Sequence, residues 1–280
     1  MGALIKSELT KVRKRRMAWI LLLVLVGFFA IQFFLNYAMG VQNAEYPDEA
    51  LISLLQFPDA FKLIFSTAQG IGGLLLAVLV AFMMGNEYHW GTLRQTMAYV
   101  GDRPQYLGAK VLSLLILAII ITFISLLVGI AFACATTSWL GDLNSDFITL
   151  SLAGDTGIIF GGTVLGLTTV ALLVFLFTIL GRSSWVGLGV YLGYSFIVEM
   201  TVMGIASTAG GWMGNIPDYL IGPNSTAFLE MEELGEDIGW QFDIGLPSMP
   251  HATLTLLAWC AILGGLSFWL FKRRDITQAS

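Results

Sequence analysis

Histidine and cysteine are nearly missing from this chain, and charge is scarce. Two of each occur in 280 residues: His89 and His251, Cys134 and Cys260. Both cysteines sit inside apolar runs, which argues against a disulfide framework and reads them as small buried hydrophobes. The two histidines fall in separate polar segments, so no metal cluster with ligand spacing can be drawn. No GxSxG elbow occurs, and a serine nucleophile within the apolar runs has no histidine to use. The phosphate-cradling GxxxxGK[ST] is also absent. The chain is therefore expected not to be an enzyme, and to have no catalytic, cofactor-binding or metal-binding residues. Only 12% of the residues are charged, against roughly 25% in soluble domains.

What is abundant is apolar surface: 56% of the residues are hydrophobic and the mean hydropathy is +0.79. A soluble fold of this length cannot hide so much, whereas a bilayer can. Crossing the hydrocarbon core takes about 20 apolar residues. Six runs qualify, near 17–39, 63–85, 109–136, 157–180, 185–206 and 251–271. The first is too long for the h-region of a signal peptide and reads as a retained span. Helices are expected because the bilayer offers the backbone no water. Barrel strands would alternate over ~10 residues, and these runs are apolar on every face. The expectation is an all-α integral membrane protein, a single transmembrane domain over 1–280 with six transmembrane helices.

Net charge is -5, but the signs are segregated. Six spans put thirteen of the fourteen basic residues on one side, with Lys62 the exception. Most of the acids fall in the opposite loops, among them Glu45, Asp48, Asp142, Asp146 and Asp218. Removing any span scrambles this partition. By the positive-inside rule the basic side faces the cytoplasm, with both termini there, in a multi-pass protein of the inner (cytoplasmic) membrane.

Residues 2–16 place Ile5, Leu9 and Val12 at i, i+4, i+7, with basic residues largely elsewhere. This reads as an amphipathic helix lying on the cytoplasmic leaflet; a basic tail acting only as a topology signal is the alternative. The external segment 207–250 carries several prolines and two short apolar pieces, 219–221 and 227–229, expected as short helices at the outer membrane surface. Its acids Glu230, Glu232, Glu233, Glu236 and Asp237 either attract a cationic substrate or form a solvated face. Asn224-Ser225-Thr226 matches a glycosylation sequon, a pattern common by chance. Glycine pairs Gly157/Gly161, Gly162/Gly166 and Gly189/Gly193 fit GxxxG and are expected to serve helix packing.

Glu199 is the one acid inside an expected span, a position costly enough to suggest function. It lines an aqueous path, pairs with Lys62, or is a protonated or snorkelling side chain near the interface.

The most patterned polar segment is 86–106, which contains Glu87, Tyr88, His89, Trp90, Gly91, Thr92, Arg94 and Met97. Leu93, Met97 and Val100 recur at i, i+4, i+7; Gly101 is a helix stop, and Pro104 punctuates the turn into the third span. A short amphipathic helix results, either docking into a partner or lying on lipid headgroups.

Here the sequence resembles the permease subunits of type-2 ABC transporters. The resemblance rests on Glu87, Gly91-Thr92, Arg94, Arg103-Pro104 and Lys110, the basic start, the tail Phe271–Ile276, and the long segment before the last span. In the family the basic residue more often follows the proline than precedes it. The resemblance implies that 86–106 is a cytoplasmic coupling helix. It also implies separate ABC ATPase subunits that bind ATP and magnesium, and a second permease copy or a related one. Export of a drug, peptide, lipid or glycan follows from it, with membrane lipid as surroundings and no nucleic-acid partner. A non-transport scaffold or sensor subunit and a secondary transporter are the other readings. The latter often shows inverted repeats and several midplane charges, and no clear repeat is seen.

Overall fold

The computed structural model describes residues 2–40, 52, 55–93, 95–96, 103–140, 150–208, 211–229 and 245–273. Every element among them is helical. α1 (Gly2–Lys14) and α2 (Arg16–Gly40) are separated only by Arg15. α3 (Ala60–His89) contains a π-helical turn at Ala68–Gly72. α4 (Arg103–Leu140) and α5 (Leu150–Gly181) come next. α6 (Ser184–Thr208) carries a second π segment, Gly193–Glu199. Two 3-10 turns then lead to the short α7 (Ile221–Thr226), and α8 (Met249–Arg273) closes the described chain.

Among the described residues six helices, α2 to α6 and α8, are long and apolar enough to cross a membrane. The chain is thus an all-α integral membrane protein. The helices overrun their apolar runs: α3 continues through Asn86–His89. Helix hydrogen bonding does not stop at the hydrocarbon edge, and polar residues prolong it until a breaker intervenes. That breaker is Gly91, at φ +66°. Its N–H bonds Tyr88 O at 3.2 Å, and Trp90 N–H bonds Asn86 O at 2.9 Å. This is a left-handed C-terminal stop that a side chain would strain.

α3 and α5 form the centre: in the most apolar stretch of each, 67% of the residues are buried, against 17% in α2 and 11% in α6. α5 packs against α3, α4, α6, α7 and α8. In lipid, packing rather than water exclusion holds helices together, so close approach matters. At Gly85 a Cβ would lie 2.0 Å from Ser184 Oγ and 2.6 Å from Ser184 N. Among the GxxxG pairs, Gly162 and Gly166 receive Phe228 and Ser225, whereas Gly157, Gly161, Gly189 and Gly193 meet nothing within 4 Å among the described residues.

The first apolar piece of the long segment starts at the surface, with Tyr219 62% exposed, and turns inward at Ile221; the second is not laid on the surface. Ile221, Ala227, Phe228 and Leu229 are 2–6% exposed. α7 is tucked into the bundle because the glycines of α5 leave it room. Asn224 is fully buried, and its amide donates to Asp218 O and Leu220 O. The sequon is therefore closed to a glycan.

Candidate functional site

α1 presents Glu8 and Lys11, three residues apart, on the face that packs against α4. That face meets the end of α3, which brings Glu87, and the first turns of α4, which bring Tyr106 and Lys110. Lys110 Nζ lies 3.0 Å from Glu8 Oε2 and 2.8 Å from Glu87 Oε1. Lys11 Nζ lies 2.6 Å from Glu8 Oε1 and 3.4 Å from Glu87 Oε1. The Tyr106 hydroxyl donates to Glu87 Oε2. Two carboxylates and two ammoniums thus make a neutral set. Glu8, Glu87, Tyr106 and Lys110 are all 5% exposed or less, so each charge depends on the others for the solvation that burial removes.

Two contacts extend the cluster. Arg15 donates to Phe82 O at 3.2 Å and stands over the Trp90 ring at 5.9 Å. Tyr106 stacks on Phe271 of α8 at 6.0 Å. α1, α3, α4 and α8 are thereby tied together at one end of the bundle, next to the turn at Trp90 and Gly91.

Burial pushes the Glu8 carboxyl up, but the charge of Lys110 and the hydrogen bond from Lys11 outweigh it, and the net shift is downward. Burial pushes Lys11 down, but its bond to Glu8 and the charges of Glu8 and Glu87 bring it above its ordinary value. The contribution of Glu8 is complete above its ordinary 4.5 and is lost as pH falls through its lowered native value. That of Lys11 is complete below 10.5 and is lost as pH rises through its raised value. A thiol at Val12, 7% exposed on the same helix, should therefore react slowly and at a pH-corrected rate that stays flat between those limits. Faster labelling is expected only outside them; a step near neutrality would contradict the cluster as described.

Of the residues expected to meet a partner, His89, Trp90 and Gly91 are exposed, and Tyr88 and Thr92 are partly so. Glu87 is different. It is 5% exposed and faces inward, so on this surface it is a structural member of the charge cluster rather than an outward contact. Leu93, expected on the docking face, is 4% exposed and packs into the core. Arg94 and Met97 lie outside the described residues, as do Glu230, Glu232, Glu233, Glu236 and Asp237. Glu8 and Tyr106 were not anticipated. Glu8 had a signal: it is the only acid in the first sixteen residues and stands three positions before Lys11.

At the other end, the π segments hold α7. Glu199 Oε1 accepts from Gly222 N–H at 2.7 Å, and the Tyr194 hydroxyl accepts from Ile221 N–H at 3.0 Å. Gln69, in the α3 π turn, donates to Ser225 O at 3.0 Å and Thr163 Oγ1 at 3.1 Å. Each π turn re-aims a polar side chain onto one end of α7, in keeping with the use of π bulges at working positions. Among the ion pairs of the described residues, none joins Glu199 to Lys62. The carboxylate is held by α7 instead, and Lys62 is buried with interactions of its own near the start of α3.

No curated protein gives a significant match to the sequence. A family model described as ABC-2 family transporter protein matches residues 4–198, from α1 into the π segment of α6. That stretch holds all four members of the charge cluster and the Trp90 turn. Six membrane-crossing helices and a match over more than half the chain agree, and the protein belongs to the ABC-2 transporter family, as a membrane permease subunit of an ABC transporter.

Proposed function

We propose that this permease exports its substrate by coupling to separate ATPase subunits, which bind ATP with its magnesium ion beneath the basic end of the bundle. That end then faces the cytoplasm and the membrane is the inner one. The one-sided placement of lysine and arginine supports this orientation. A second permease copy, identical or related, completes the path. Gly189 and Gly193 of α6 support such pairing, since nothing among the described residues covers them. The cargo class is a drug, peptide, lipid or glycan.

The observation that carries the reading is the joining of an exposed turn to a buried charge cluster. Trp90 is 65% exposed, and Arg15 links its ring to the α1 side of the cluster. A push on this turn from a closing ATPase pair moves α1, the end of α3 and the start of α4 as one body. The charges cannot separate without exposing an unpaired partner. Export then follows from rearrangement of the spans those elements enter.

Trp90→Ala together with His89→Ala is the test, with the tagged permease purified from its native membranes. A buried tryptophan anchor is worth ~2 kcal/mol or more, so co-purified ATPase should fall by about 30-fold. Permease abundance should be unchanged. Full ATPase association and full transport in the double variant would remove the turn from the coupling route.

A further inference from the structure

A crevice of about 340 Å³ opens between α1, α2, α3 and α4. It runs along α2 from Ala18 to Leu25, about 10 Å at the helical rise. Its floor is Leu79 of α3 and Leu117 of α4, and Arg13 is the charged residue on its wall. A shallower depression on the outer side of α1, which includes Lys6, meets it at Leu9 and Arg13.

The basic residues of the start of the chain divide in two. Lys11 and Arg15 are turned inward onto Glu8, Glu87 and Phe82 O. Lys6, Arg13, Lys14 and Arg16 are exposed. Trp19 stands at the mouth, 60% exposed, with its indole N–H on Arg13 O at 3.0 Å. A long apolar slot beside a membrane-crossing helix, with an arginine at its rim and exposed cations around it, matches one ligand chemistry. It has the form of an acyl chain joined to a phosphate.

We propose that the crevice binds one anionic phospholipid, with an acyl chain between α2 and α4 and its phosphate on Arg13. A neutral lipid offers the same tail but meets the four cations without net charge. Basic residues beside a span select anionic headgroups in this way, and the volume lies within the range of small-molecule pockets. Because Arg13 shares α1 with Glu8 and Lys11, the bound lipid also steadies the helix that closes the charge cluster.

The test uses the purified full chain in nanodiscs of equal parts phosphatidylcholine and phosphatidylglycerol, with retained lipid read by native mass spectrometry after detergent stripping. One phosphatidylglycerol should remain per chain, preferred over phosphatidylcholine by about tenfold. Arg13→Gln should cut that preference by about fivefold, the share of one basic contact. Ile120→Trp, at a lining position already 41% exposed, should fill the slot and abolish retention while the protein still elutes as a single species. Lys272→Gln removes an exposed cation of α8 that does not line the crevice and should change nothing. Equal retention of the two lipids by the unaltered protein would overturn the proposal. So would wild-type retention by Ile120→Trp or an unchanged preference in Arg13→Gln.

Discussion

Lys110→Met is expected to release α1 from the bundle and to uncouple transport from ATP. Lys110 is fully buried and is the cation shared by Glu8 and Glu87, at 3.0 and 2.8 Å. Its removal leaves two buried carboxylates facing one another with Lys11 alone to compensate, and the Lys11 side chain is 40% exposed. Breaking a buried pair in this way costs ~3–5 kcal/mol. The cheapest response is for α1 to swing out and return Glu8 to water. Hydrogen exchange of the α1 amides should then rise, and trypsin should cleave between α1 and α2. Adding Glu8→Gln restores neutrality, because Lys11 and Glu87 remain as a pair. The double variant should recover most of the lost protection, giving a coupling energy of the size seen for residues in one network. Undiminished α1 protection in Lys110→Met would show that the cluster does not hold α1.

Gly85→Val should be as damaging, by a different route. Atoms of the added side chain would have to share space with Ser184, including its backbone N at 2.6 Å and Cα at 2.8 Å. A rotamer change cannot relieve a clash with backbone. α3 and α6 must therefore separate beside the tight turn between α5 and α6, where Arg182 already has φ 52°. Overpacking costs ~1–3 kcal/mol where side chains can yield, and the upper end or beyond is expected here. The melting temperature in detergent should drop by several degrees and the yield of monodisperse protein should fall. Gly161→Ala is the matched control. Nothing among the described residues lies within 4 Å of that position, and alanine favours a helix by ~0.5–1 kcal/mol. Equal stability of the two variants would mean that α3 and α6 do not approach as closely as the structure has them.

The charge cluster shows how much of the site was readable in advance. Glu87 and Lys110 stand out in the sequence as an acid and a base flanking a polar turn, and the resemblance to ABC permeases singles out both. Their meeting at 2.8 Å was not readable, because it depends on how a 30-residue and a 38-residue helix cross. From sequence alone Glu87 reads as a polar contact beside the docking face, whereas it is 5% exposed. Leu93 failed for a related reason: an apolar stripe on a short helix states that one face is buried without saying against what. For Glu199 an intramembrane acid pointed to a partner, but the partner is backbone N–H of α7, a group that no residue pattern reveals.

Hydropathy and the placement of charge by themselves determined that this chain is helical, crosses the membrane six times and keeps most of its basic residues on one side. Those properties come from local transfer free energies, summed residue by residue along each run. Only the tertiary structure decided that α3 and α5 are central, that α7 is drawn inside by Gly162 and Gly166, and that Glu8, Lys11, Glu87 and Lys110 share one buried site. Within a bilayer an apolar face toward lipid and one toward another helix have the same composition. The choice between them is made by close packing and by the few polar atoms that must find each other.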